Sequence, residues 1–323
     1  MNRLQRLSYI LIGSVMVLGL AGLSEVFGQT SQAIADANGS RNTSARSVTI
    51  PVTFRIKEVA SEASLQTTDL VVSEDGEPQT ITSIRSVGTN SPITLALLIQ
   101  EDLPTISNEI KGLAEFVRDL PKGSRVMIGY LRTGSLQVKL KFTTDLEKAA
   151  KSLRPPVGFA SSGPYNPYVE VIEALRKFDS QPQGRRAILL ISDGLDISRG
   201  VDSSLPTQSV DLRRAVSEAQ RKSVAIYGFY APTAAAEGNS LLASNAQSSL
   251  NYLATETGGH AFFQGISAPV SFDPYLKELD NSLERQAALT FLSTHSKKGF
   301  HKISITSTTP GIRVVYPTGY VKQ

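Results

Sequence analysis

Arg186-Ala-Ile-Leu-Leu-Ile-Ser-Asp-Gly-Leu-Asp-Ile-Ser198 is the stretch that decides the fold. Its apolar residues, Ala187 to Ile191, run without alternation. Such a run suits a strand covered on both faces, as in a parallel sheet with helices packed on each side. The run stops at Ser192-Asp193-Gly194. Open parallel sheets bind their ligands beyond the carboxyl ends of their strands. Asp193 is therefore read as the centre of a binding face. A carboxylate before a glycine has a second use, capping the turn through backbone N–H groups. Both roles stay open for Asp193 on the sequence alone.

Outward from this stretch, strand and helix alternate. Thr94 to Ile99 is an apolar strand ending in Gln100-Glu101-Asp102. Thr105 to Leu120 has helical spacing, with Ile106, Ile110, Leu113, Phe116, Val117 and Leu120 on one side, and Pro121-Lys122-Gly123 ends it. Strands are predicted over Val126–Leu131 and Leu136–Phe142, and a helix from Thr144-Asp145 to Leu153. A loop over Pro155–Tyr165 leads to a helix over Pro167–Phe178. Beyond Asp193 come a helix at Val210–Lys222, a strand at Val224–Tyr230 and a helix at Ser248–Thr257. Gly258-Gly259 breaks that helix before a short strand, His260–Phe263, and a last helix, Asp273–Leu283. This order predicts a doubly wound, mostly parallel, Rossmann-like α/β domain over residues 92–285. Two connections, Leu195–Ser209 and Ala231–Gln247, are long for a compact domain, and such loops are often functional or disordered. The second is an Ala/Ser/Asn/Gly tract that reads as disorder or weak helix. If ordered, both crowd the face that carries Asp193.

Further out the pattern becomes β on both sides. From Ser47 to Lys57, Val48, Ile50, Val52, Phe54 and Ile56 alternate with Thr49, Thr53, Arg55 and Lys57. Leu70-Val71-Val72 and Thr80–Ile84 flank Glu74-Asp75-Gly76-Glu77, and Asp-Gly between two strand-like runs predicts a hairpin. Ala287–Leu292, His301–Thr306 and Ile312–Tyr316 read as β near the other end. Neither set makes a core alone, because an isolated hairpin is marginal in water. Residues 47–91 and 286–323 are therefore expected to pack together as one β-rich, sandwich-like domain, with 92–285 inserted between.

The beginning of the chain reads as an export signal. Arg3 and Arg6 precede the apolar run Leu7–Leu23, and Gly28 offers a small residue for cleavage. Residues 1–28 are thus expected to be a signal peptide, and 29–46, rich in Ser, Ala, Asn and Gln, a flexible linker. The competing reading is an uncleaved anchor, for which the run is short. After cleavage no stable membrane span is expected. The chain has no cysteine, which excludes disulfides and fits a bacterial envelope, periplasmic or extracellular, better than a disulfide-stapled secreted domain. The formal net charge is only +4, and Arg185-Arg186, Arg213-Arg214 and Lys297-Lys298 are isolated pairs read as solvated surface. With no basic stripe interleaved with aromatics, a nucleic-acid partner is not expected.

The order of these elements resembles a von Willebrand factor type A (VWA) domain. The matching pieces are Leu95–Ile99, Phe142-Thr-Thr-Asp145, Leu189-Leu-Ile-Ser-Asp-Gly194 and Leu253-Ala-Thr-Glu-Thr-Gly-Gly259. The flanks Asp69–Gly76, Gly299–Ile303 and Tyr316–Tyr320 are similar to VWFA-related domain proteins found in Acidobacteria. The resemblance implies a metal-ion-dependent adhesion site that usually holds magnesium, with a first loop of the form Asp-x-Ser-x-Ser. Here those positions read Gln100-Glu101-Asp102-Leu103-Pro104. A neutral amide replaces the anchoring carboxylate, Asp102 takes the first serine's place, and Pro104 has no side-chain oxygen. The family's loop threonine falls near Tyr165, and Asp193 alone matches outright. A hard divalent cation wants several oxygens in near-octahedral order. Asp102, Asp193 and Gln100 are weak candidates to supply three. The site reads as degenerate, Mg2+ being possible but no cofactor expected.

Enzyme motifs are absent. The sequence has no Gly-x-Ser-x-Gly elbow, no Walker loop, no His-Glu-x-x-His and no dinucleotide fingerprint after the first α/β strand. His260, His295 and His301 are read as surface or strand-end residues. Glu101 and Asp102 are neighbours whose side chains point to opposite faces, so they are not expected to act as a pair. The expected function is an exported, non-enzymatic binding module. A protein partner would meet Gln100, Asp102, Tyr165 and Asp193 on the strand-end face. The alternatives are an exported enzyme on the same Rossmann-like scaffold with an unrecognised site, and a structural envelope component.

Overall fold

The computed structural model describes residues 45–56, 69–85, 90–156, 166–234 and 236–323, all within one compact unit, Thr43–Gln323. The expected signal segment 1–28, most of the 29–46 linker and Tyr165 lie outside the described residues. Two sheets organise the chain. The first contains β4 (Thr94–Gln100), β5 (Arg125–Arg132), β6 (Ser135–Thr143), β7 (Arg186–Ser192), β8 (Ala225–Tyr230) and β9 (Ala261–Phe262) in the order β6-β5-β4-β7-β8-β9. All neighbours are parallel except β5 and β6, which form an antiparallel edge. The chain moves one way from β4 to reach β5 and the other way to reach β7. The β4/β7 boundary is therefore the topological switch point, where ligands of such sheets bind.

β4 and β7 are buried along their whole length, and strict alternation sends their side chains into two cores. Leu95, Leu97 and Ile99 pack with α1 (Ile106–Asp119), α2 (Leu146–Ser152) and α6 (Asp273–Glu284). Ala96 and Leu98 pack on the opposite side with α3 (Pro167–Arg176), α4 (Val210–Lys222) and α5 (Ser240–Thr257). Each large aliphatic side chain so buried contributes roughly 1.5–3 kcal/mol. The helix starts carry their own signals. Asn166, Ser209 and Asn239 cap α3, α4 and α5 by accepting from Tyr168 N, Leu212 N and Leu242 N.

α5 departs from expectation. It begins at Ser240, so the connection taken as Ala231–Gln247 is about half as long as the sequence suggested. Its first turns bury Leu242 and the small residues Ala243 and Ala246, whose apolar period is weak in sequence. Their size lets the helix lie close to the sheet, and that packing replaces propensity as the reason for helix. The pair Arg185-Arg186 also departs. Neither is solvated surface: they are 6% and 2% exposed. The Arg186 guanidinium donates to the carbonyls of Pro182, Gln181 and Lys222, and Arg185 to those of Ser91 and Leu283. They tie loops at the amino ends of the strands.

The second sheet joins the two ends of the chain. β1 (Arg46–Ile56), β2 (Leu70–Glu74) and β3 (Glu77–Arg85) interleave with β10 (Gln286–Ser293), β11 (Gly299–Ser307), β12 (Ile312–Val315) and β13 (Gly319–Lys322). The order is β12-β1-β10-β3-β2-β11-β13, all neighbours being antiparallel. The seven strands form one hydrogen-bonded series in which β3 links the β12-β1-β10 half to the β2-β11-β13 half, and Phe291 of β10 meets Tyr320 of β13, so the two halves share one core. β10 lies between β1 and β3, so strands distant in sequence complete each other's hydrogen bonds. Ile50, Val52 and Phe54 bury on the same core as Leu289, Phe291, Ile303 and Ile305. β13 has no sequence signal of its own; it pairs with β11 at the sheet edge.

Candidate functional site

The carboxyl ends of β4 and β7 bring Gln100 and Asp193 together, and Asp102 follows β4 by a tight turn. Gln100 is 1% exposed and sits at the centre. Its Oε1 accepts from the Ser192 hydroxyl at 2.5 Å and from the Asp193 N–H at 3.2 Å. A backbone N–H can only donate, so the amide oxygen must face it and the amide nitrogen must face the other way. Nε2 donates to Asp102 Oδ1 at 2.9 Å. The amide therefore ties the last residues of two neighbouring strands to the loop between β4 and α1.

Asp193 plays the capping role. Oδ1 accepts from Leu195 N at 3.0 Å, and Oδ2 accepts from the Thr233 hydroxyl at 2.7 Å. Burial pushes its carboxyl up to about 6, against the pull of the Leu195 N–H, the Thr233 hydroxyl and the Gln100 amide. The Asp102 charge adds to the rise. Asp102 is half-buried, and burial raises it too, with the Gln100 amide opposing.

Gly194 follows at φ +71°, where a Cβ would lie 2.6 Å from Leu250 Cγ and 2.9 Å from the Ala246 carbonyl. Only glycine lets the chain pass under α5 in this conformation. The Gly194 carbonyl accepts from the Tyr168 hydroxyl at 2.5 Å.

Three contributors were not among the site residues read from the sequence. Ser192 and Thr233 hold the two ends of the Gln100–Asp193 pair. Asp196, 4% exposed, accepts from Ser198 N, the Ser198 hydroxyl and the Ser209 hydroxyl, at 3.1, 2.6 and 2.6 Å. These bonds order the long connection after β7. The Asp193-x-x-Asp196 spacing was a usable signal, since a second carboxylate three residues on in a serine-rich loop favours side-chain-capped turns. Glu101 is 2% exposed and pairs with Arg154 at 3.2 Å, whose guanidinium lies over the Tyr130 ring.

A divalent ion at this place would draw on Asp102, Asp193 and Gln100. Both Asp193 oxygens already accept hydrogen bonds, and Gln100 presents N–H groups rather than oxygen toward Asp102. Of the two carboxylates, Asp102 too is held, by the Gln100 amide and its own backbone N–H. Such a set supplies far fewer free oxygens than a hard cation takes.

The histidines correct the surface reading. His301, on β11, is 3% exposed, and the His295 side chain is 19% exposed. Both approach the β2–β3 hairpin, far in sequence from the strand-end face.

Set beside known proteins, the chain matches no family model and no curated protein. Among solved structures it is similar to the conserved hypothetical protein BatB from Bacteroides thetaiotaomicron, at 17% identity and TM-score 0.41, over 59% of this chain and 96% of that one. An aerotolerance-related membrane protein from Bacteroides fragilis aligns at 16% identity and TM-score 0.40, over 59% and 98%. The human COPII-coat protein Sec24c aligns at 10% identity and TM-score 0.39, over 74% and 44%. Among the described residues, no helix is long and apolar enough to cross a membrane.

Proposed function

We propose that the chain is an exported, non-enzymatic protein-binding module of the VWA type, with a degenerate metal-ion-dependent adhesion site. The partner meets the face formed by the carboxyl ends of β4 and β7. The observation that carries this reading is the fixed orientation of the Gln100 amide. It fills, with a neutral group and an N–H donor, the place where the resemblance expects an anchoring carboxylate. The switch-point position supports a ligand at this face, and the donor set supports recognition without a divalent ion. Export rests on the basic and apolar start of the chain.

The test starts with a binary complex. The full chain is used to capture a partner from its native envelope, the partner is purified, and affinity is measured with and without EDTA. Unchanged affinity in EDTA, weakened by Asp102→Ala, supports metal-free recognition at this face. Affinity abolished by EDTA and restored by magnesium overturns the metal-free part. Affinity indifferent to both EDTA and Asp102→Ala moves the contact elsewhere on the molecule. Turnover of a small substrate by the purified protein would replace the binding module with an enzyme.

A further inference from the structure

The β2–β3 hairpin carries a second cluster of polar groups, distinct from the strand-end face. Glu74, Asp75 and His301 present ligand atoms that all lie within 4.8 Å of one another. Asp75 and Gly76 form the turn, with φ +50° and +90°, the conformation of a tight hairpin that Asp-Gly favours. β11 pairs with β2 and sets His301 beside that turn. His295, from the connection between β10 and β11, closes the cluster from another side.

The hydrogen bonds define which atoms face inward. His301 Nε2 lies 2.9 Å from the Lys297 carbonyl, which can only accept, so Nε2 carries a hydrogen. In the neutral ring Nδ1 is then a bare lone pair. It points at Asp75 Oδ2, 2.8 Å away, and at Glu74 Oε1, 3.2 Å away. Both carboxylates only accept, so Nδ1 meets them either with a second ring proton or, in the neutral ring, with a lone pair open to a metal cation. A ring N–H held by a backbone carbonyl, with the other nitrogen left free, is also the usual outer support of a metal-binding histidine.

A second observation points the same way. Glu74 is wholly buried, and its Oε1 accepts from the Tyr320 hydroxyl at 2.6 Å and the Ser293 hydroxyl at 3.0 Å. Its Oε2 makes no hydrogen bond. Oε2 lies 3.4 Å from His295 Nδ1, which makes none either. Neighbouring ligands of a tetrahedral zinc ion, bound at 2.0–2.2 Å, lie about 3.3 Å apart. His301 Nδ1 lies 3.2 Å from Glu74 Oε1 and His295 Nδ1 lies 3.4 Å from Glu74 Oε2, both near that edge, while His301 Nδ1 and Asp75 Oδ2 are closer, at 2.8 Å.

We propose that Glu74, Asp75 and His301, joined by His295 through a turn of its side chain, bind a divalent transition ion of the zinc type. Mixed imidazole and carboxylate ligands suit such an ion, and no cysteine is required. The chemistry is structural, with no reaction step. Two carboxylates and two neutral imidazoles balance the ion's charge. The Lys322 ammonium, which donates to the His295 carbonyl, adds positive charge behind one ligand rather than between them. Asp75 is partly open to solvent, which gives the ion a path in. Bound there, it would clamp the amino-terminal hairpin to β11 and to the strand that precedes it, in a chain with no cysteine to do so.

The full chain, stripped with a chelator, is dialysed against Zn2+, and bound metal is counted by mass spectrometry alongside thermal melting. Expected are one tightly bound zinc per chain, a higher Tm with zinc, and weaker binding as pH falls and protons compete for the imidazoles. Cobalt in its place should give the visible spectrum of a tetrahedral site. His301→Gln and Asp75→Asn should each weaken zinc binding by at least about tenfold. Asp75→Asn is the safer variant, since Asn tolerates the left-handed turn and keeps the acceptor for Lys302 N. His260→Gln, outside the cluster, should change nothing. No zinc bound at micromolar concentration would show that a ring proton alone bridges the carboxylates, and the proposal falls. Zinc retained in Asp75→Asn, or lost in His260→Gln, places the ion elsewhere and equally overturns it.

Discussion

Gln100 donates its amide N–H to Asp102 across 2.9 Å and cannot turn round, because its oxygen is held by the Ser192 hydroxyl and the Asp193 N–H. A side chain locked this way supplies a neutral link where a carboxylate would build up negative charge. Gln100→Glu keeps the shape and reverses that choice. It sets a third carboxyl beside Asp102 and Asp193 and deletes the donor. The expected loss is about 1–3 kcal/mol at neutral pH without divalent ions. Millimolar magnesium should restore part of it. Melting curves with and without magnesium check this, and a variant indifferent to the ion would contradict the geometry.

The buried Asp193 carboxyl gives a pH signature. Its folded value, about 6, lies above the ordinary 3.8. The folded state therefore binds the proton more tightly, and stability falls as pH rises from about 4 to 6. The full cost at pH 7 is on the order of 3 kcal/mol. Glu170, pushed up to about 7 by burial, contributes with the same sign but is common to wild type and variant. Asp193→Asn should then gain on wild type by about that amount between pH 4 and pH 7, read by urea unfolding. A difference that stays flat with pH contradicts the assignment.

Gly194→Ala tests the close approach of α5 to the strand end. The new Cβ meets Leu250 and the Ala246 carbonyl in a left-handed conformation. A loss of roughly 2–4 kcal/mol is expected. Gly134→Ala, also at positive φ but with nothing within 4 Å, should cost less. Equal losses would mean that only backbone conformation matters at Gly194.

Phe54 probes the shared β sheet. It is 1% exposed on β1, between β10 and β12. Phe54→Ala should cost about 3–5 kcal/mol. Deleting residues 47–87 removes both neighbours of β10 and the partner of β11 nearer the centre. Residues 287–323 should then become protease-sensitive. If limited proteolysis leaves them intact, the carboxyl-terminal strands do not depend on the amino-terminal ones.

The sequence by itself determined the alternating α/β order, because unbroken apolar runs such as Ala187–Ile191 and helical spacing such as Ile106 to Leu120 are local patterns. It also fixed the Asp75-Gly76 hairpin, since the turn's left-handed backbone is written in those two residues. It placed Gln100, Asp102 and Asp193 at strand ends, and the fold brings these three together. It did not show Ser192, Thr233 or Asp196 as their partners, because a serine, threonine or aspartate in a loop reads the same whether bonded or bare. The early start of α5 was hidden for a related reason: Ala243 and Ala246 are helical through close packing under which Gly194 passes. The clearest case is the histidines. In the chain, Glu74 and His301 are separated by the whole α/β domain and carry no common motif. Only the pairing of β2 with β11 puts their side chains 3.2 Å apart, and that pairing is set by burial and hydrogen bonding across the sheet.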